Sequence, residues 1–119
     1  MGVRASQGPR LGCAFYRTQS GHEPVRDWLR GLGKEVSKTV GRDLLTVQWS
    51  WPVGKPLVDG LGSGLYEIRS TYERTEYRVF FCIAGSNLVL LHGIVKKSRA
   101  TPRADLELAR KRVREVVAR

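Results

Sequence analysis

A chain of 119 residues that is 41% apolar and 27% charged reads as one globular domain with its own core, not as a disordered segment. Its 21 Lys and Arg against 11 Asp and Glu leave a formal charge of +10, which favours a polyanionic partner or an acidic protein. Cys13 and Cys82 lack CxxC or Cys/His spacing, so a zinc site and a disulfide framework are both unsupported. Both thiols are expected in strands as small buried hydrophobes.

Residues 1–12 are expected to form a disordered polar leader before a domain spanning 13–119. No apolar run approaches the ~20 residues of a membrane span, so no membrane association is expected, and the two unpatterned cysteines fit an expected reduced cytoplasmic setting. The first strand is brief and aromatic, Ala14-Phe15-Tyr16-Arg17. Pro24 suits the first position of a helix whose apolar face is Val25, Trp28, Leu29 and Leu32. Gly31 and Gly33 end it, and a second helix follows with the stripe Val36, Val40, Leu44 and Val47. Trp49 and Trp51 flank the exit, where they either cap a core or stack on bases.

Lys55 to Gly64 reads as a turn-rich connection. Leu65–Ser70, Glu76–Ala84 and Asn87–Val95 then read as strands, the last two joined by a turn at Gly85-Ser86. Thr101 is the expected N-cap of a closing helix, with Pro102 at its first position and the stripe Leu106, Ala109, Val113 and Val116. The order β-α-α-β-β-β-α predicts an α+β fold, a helical hairpin on a small, largely antiparallel sheet with a C-terminal helix.

Period-two alternation puts Glu67 and Arg69 on one face of their strand, and Arg78 with Phe80 and Cys82 on one face of the next. Arg69 and Arg78 reach a common face if the strand register aligns them. Lys96, Lys97 and Arg99 crowd together past the last strand, and from Lys96 onward cations outnumber acids nine to three. Such convergent charge suits phosphodiester binding and stabilisation of a phosphorane. The competing reading pairs the strand arginines with Glu67 or Glu76 as structural ion pairs. His92 lies within a strand, where a hydrogen-bonded core histidine is the commoner outcome.

Tyr77-Arg78-Val79-Phe80-Phe81, then Leu90-Leu91-His92-Gly93-Ile94-Val95-Lys96-Lys97 and Thr101-Pro102, resemble the HigB-type, phage-derived branch of the RelE/ParE toxin superfamily. Gly64–Arg69 and Pro24–Leu29 fit the same branch, and the resemblance runs from about residue 14 to the end. It implies the toxin of a type II toxin–antitoxin pair, a ribosome-dependent endoribonuclease that cuts mRNA by 2′-OH attack without metal or cofactor. By position it assigns catalysis to Arg69, Arg78 and Lys97. Lys96, Arg99, His92 and Arg103 are the expected RNA contacts. The implied partners are mRNA, the ribosome and a helix-turn-helix, HigA-type antitoxin. Two other readings remain: a ParE-like gyrase inhibitor without nuclease activity, and a non-enzymatic RNA-binding module using the basic C-terminal helix.

Overall fold

The computed structural model describes residues 8–97 and 99–119. Its elements are β1 (Gly12–Phe15), α1 (Pro24–Gly31), α2 (Lys34–Ser50), β2 (Val58–Gly62), β3 (Leu65–Tyr72), β4 (Thr75–Ala84), β5 (Asn87–Lys96) and α3 (Arg103–Ala118). The sheet order is β1-β5-β4-β3-β2, with β1 parallel to β5 and every other neighbour antiparallel. The architecture is α+β as expected, with one strand more. The expected leader is outside the described residues as far as residue 7; Leu11 is already buried and Gly12 opens β1.

The two helical stripes bury as their periods require. Val25 of α1 and Val40, Leu44 and Val47 of α2 pack on Ile68, Val79, Phe81, Leu88 and Leu90 of the sheet. Each fully buried Val or Leu contributes about 1.5–3 kcal/mol. Between the helices Gly33 turns the chain at φ +88°, a region a side chain would resist. Trp51 caps this core, edge-on to Tyr66 at 5.1 Å and to Phe81 at 5.6 Å, whereas Trp49 stays exposed.

Trp28 of α1 lies against the backbone of Gly93, where an added Cβ would stand 2.3 Å from its ring. The Pro24–Leu29 and His92-Gly93 signature segments are therefore joined by one contact that only glycine permits. Gly93→Ala is expected to destabilise by about 1–3 kcal/mol, the range for overpacking, and to lower the thermal midpoint. An unchanged melting curve would show that α1 does not depend on this contact.

The opposite face carries α3. Its Ala109 and Val113, with Leu106 and Val116 beside them, cover Leu65, Phe80, Cys82, Val89 and Leu91. Polar contacts fix the helix in place: Arg110 donates to the carbonyls of Leu61 and Gly62, and Arg112 to that of Leu91. Thr101 is not the cap. The carbonyl of Pro102 accepts the first helical bonds from Asp105 and Leu106, so the helix begins one residue later, without a side-chain cap. Cys82 is buried as expected, but Cys13 is exposed because β1 lies at the sheet edge.

Tyr16 donates its hydroxyl to Glu115, while Arg112 and Arg119 lie over its ring at 4.7 and 5.2 Å. The bond to Glu115, then burial, raise the Tyr16 pKa. A raised acid favours the protonated form in the folded state. Its contribution is complete below the unfolded value of about 10 and is lost as pH rises through the folded value. Tyr16→Phe should therefore flatten the fall in urea midpoint between about pH 9 and 11 relative to the parent chain. An equally steep fall would rule out this contact as its source.

The stretch expected as a connection contains β2. It pairs with β3 from Val58↔Ile68 to Gly62↔Leu65, with an irregularity between Gly60 and Gly62. Three glycines within Val58–Leu65 mask the alternation, yet Val58 is buried and the Tyr66 ring lies over Gly60. This edge strand also sets Asp59 opposite Glu67.

Candidate functional site

The register aligns Arg69 of β3 directly with Arg78 of β4, and Arg78 with Ile94 of β5. One step toward the strand ends, Thr71, Glu76 and Lys96 form the next row. Both rows lie on the face that α3 covers only at its other end. Two opposed arginines repel unless carboxylates intervene. Glu67 is the carboxylate between them: it is 2% exposed and accepts both hydrogen bonds from Arg78 Nη1, at 2.9 and 3.0 Å. Arg69 reaches the same carboxylate at 3.3 Å and Asp59 at 2.9 Å. The remaining edge of Arg78, Nε and Nη2, grips Glu76 at 3.0 Å.

The two strand arginines thus sit in a chain of alternating charge, Asp59–Arg69–Glu67–Arg78–Glu76. The carboxylates differ in one respect. Glu67 is sealed at 2% side-chain exposure, while Glu76 is 34% exposed and faces an open depression. That depression is lined by Arg74, Glu76, Arg78, Lys96, Lys97 and Arg99. Among the described residues, Arg74, Lys96, Lys97 and Arg99 form no ion pair with a carboxylate. Lys96 instead donates to the carbonyl of Arg99.

Of the residues singled out from the sequence, Arg78, Lys96, Lys97 and Arg99 come together around this depression. Arg69 does not join them. It turns toward Asp59 and lines a neighbouring hollow with Asp43, Pro56, Leu57, Thr71 and Glu76. Arg103 is exposed on the first turn of α3 and is paired with Glu107 at 3.0 Å. His92 packs parallel to Phe80 at 6.0 Å, and its Nε2 lies 2.6 Å from Asp105 Oδ1. A β-bulge between Phe80 and Phe81 makes Leu91 the extra residue, so that Leu91 and His92 both face α3.

Glu76 is the ion-pair partner that the sequence offered for the strand arginines; three features were not read from it, namely Arg74, Asp59 and the contact of Asp105 with His92. A signal for the strand glutamates was present. Glu67-Ile68-Arg69 and Glu76-Tyr77-Arg78 are both E-x-R, and on a strand that spacing places acid and base on one face. Arg74 comes to the depression through a two-residue hairpin turn, Glu73-Arg74, with φ values of +46° and +69°. Left-handed turns of this kind are signalled by Asn or Gly, and here neither is present. Among the described residues, no group of three or more His, Cys, Asp or Glu is placed to hold a metal ion. No helix there is long and apolar enough to cross a membrane.

The model of the family described as phage-derived protein Gp49-like (DUF891) matches residues 27–114. The chain belongs to this family. It is a RelE/toxin-like family, and the match runs from α1 into α3. Every member of the charge chain and of the basic depression falls within it, as do both sides of the Trp28–Gly93 contact. No curated protein matches the sequence. For this Gp49-like chain the fold, the toxin-like family and the basic depression therefore point one way.

Proposed function

We propose that this protein is the toxin of a type II toxin–antitoxin pair, of the HigB type, which cleaves mRNA on the ribosome in the cytoplasm. A helix-turn-helix antitoxin neutralises it. The observation that carries this reading is the depression in which Arg74, Lys96, Lys97 and Arg99, four cations without an acid partner among the described residues, surround the Arg78–Glu76 pair.

In the resting protein Glu76 occupies the edge of Arg78 that a phosphate would take. A guanidinium fork donates to a carboxylate or a phosphate with the same two-point geometry. The scissile phosphate displaces Glu76, while the buried Glu67 keeps Arg78 in place from behind. Lys96, Lys97, Arg99 and Arg74 offset the charge that develops on the phosphorane oxygens. The ribose 2′-oxygen bonds to phosphorus as its proton passes to the displaced Glu76 carboxylate. The bond from phosphorus to the 5′-oxygen breaks, and a lysine ammonium returns a proton to that oxygen. The products are a 2′,3′-cyclic phosphate and a 5′-hydroxyl. His92 and Asp105 tie the start of α3 to β5 and so position the basic segment between them.

Glu76→Gln should lower single-turnover cleavage by roughly 10²-fold, the lower end for a general base, while RNA binding holds or tightens. Equal loss of binding and cleavage would place Glu76 outside the chemistry. The reading as a whole is tested by inducing the protein in cells and mapping transcript ends by primer extension. Cuts within translated regions are expected. Growth arrest with intact transcripts and loss of DNA supercoiling would replace the nuclease with a gyrase inhibitor.

A further inference from the structure

The outer face of α2 presents one stripe, Lys34, Lys38, Arg42, Leu45 and Trp49, at helical spacings of four, four, three and four. It lies opposite the buried stripe of Val40, Leu44 and Val47. Its first half is cationic and its second half apolar. Leu45 is 52% and Trp49 46% exposed, and they border a shallow hollow with Arg42, Thr46 and Ser50. Trp51 is nearby in sequence but fills the core, so the exposure of Trp49 is not a shared fate of the two indoles. None of the three cations is in an ion pair with a carboxylate among the described residues.

We propose that this stripe is a docking surface for an acidic amphipathic helix of a partner protein, whose apolar seam covers Leu45 and Trp49 and whose carboxylates face Lys34, Lys38 and Arg42. Charge complementarity selects the occupant. A second copy of this chain would bring another +10 against the same cations. Residues 1–7 contain no carboxylate either. A nucleic acid would satisfy the cations and stack on Trp49, but it leaves the adjacent Leu45 without an apolar partner. A helix in this groove supplies both, with anchors three and four residues apart. The stripe is on the sheet face opposite the basic depression, because α2 packs against one face and α3 against the other. A partner held here leaves the depression open, and the surface exists whether or not that depression cuts RNA.

The test uses the full chain and a synthetic helical peptide of about 20 residues, roughly 30 Å long, with Leu at a and d and Glu at the flanking positions. A scrambled peptide of the same composition is the control. The helical peptide is expected to bind with a Kd on the order of 1–10 μM and to shift amides of α2, while the scrambled one does not. Leu45→Ser with Trp49→Ser should weaken binding at least about tenfold, and so should Lys38→Glu with Arg42→Glu, at unchanged melting temperature; tenfold corresponds to ~1.4 kcal/mol. The bound complex should still take up oligouridylate.

Three results would overturn the proposal. The peptide could shift amides around Arg74 and Lys97 instead of α2. Oligouridylate, and not the peptide, could perturb Trp49. Sedimentation could reveal a dimer that dissociates when Leu45 and Trp49 are replaced, making the surface a contact between copies of this chain.

Discussion

Arg78→Ala is expected to cost the fold about 3–5 kcal/mol, the range for removing one partner of a buried ion pair. The reason lies behind the arginine. Glu67 is 2% exposed and receives two hydrogen bonds from Arg78 at 2.9 and 3.0 Å, one to each oxygen, and the longer pair from Arg69, both at 3.3 Å and both to one oxygen, cannot replace them. For a domain of this size such a loss is a large part of total stability. Loss of toxicity in this variant would therefore not by itself assign Arg78 to catalysis. A cycle with Glu67→Gln separates the effects. Neutralising the buried carboxylate removes most of the penalty, so the double variant should be more stable than the sum of the two single losses implies. Urea denaturation of the four proteins measures this. Additive losses would mean that Glu67 and Arg78 are not coupled, contrary to their geometry.

The second large effect is on binding and leaves the fold alone. Lys96, Lys97 and Arg99 replaced together by Gln should lower affinity for single-stranded RNA by about 10²–10³-fold at low salt. Each is taken to lose a charge-assisted contact of about 1–1.5 kcal/mol. The slope of log K against log salt should fall by about 2, since each neutralised phosphate contributes roughly 0.7 for a single strand. Stability should stay within about 0.5 kcal/mol, because no carboxylate among the described residues loses a partner. Filter binding over a salt series, beside a urea curve, measures both. An unchanged slope would remove these cations from the RNA path.

These two variants differ because strand and loop cations have different neighbours, and only part of that difference was legible in the sequence. The helices were. Val25, Trp28, Leu29 and Leu32, then Val40, Leu44 and Val47, then Ala109 and Val113 carry periods that burial requires, and α1, α2 and α3 follow them. The common face of Arg69 and Arg78 was also legible, since alternation along a strand is a property of the backbone.

Register was not. Whether two arginines converge on a ligand or are separated by a buried carboxylate depends on a pairing that the strands' own residues do not specify. The ion-pair reading, with Glu67 and Glu76 as partners, describes the observed contacts of both arginines. Asp59 was hidden because the glycines of β2 concealed a strand. Asp105 was hidden because its contact with His92 depends on how α3 crosses the sheet, a tertiary property without a local signal. The basic segment after β5 was readable as a run of charge, and the turn that brings Arg74 to it was not.

The central claim is that the depression around Arg78 and Glu76 cleaves RNA through the 2′-oxygen. The most direct measurement incubates the purified protein with ribosomes programmed with a defined mRNA and determines the chemistry of the new ends. The account predicts cuts at codons held in the ribosome, a 2′,3′-cyclic phosphate on the upstream fragment, a 5′-hydroxyl on the downstream one, and no cut where the substrate carries a 2′-deoxy sugar at that position. Cleavage of the 2′-deoxy substrate, or intact mRNA on ribosomes the protein has bound, would contradict it.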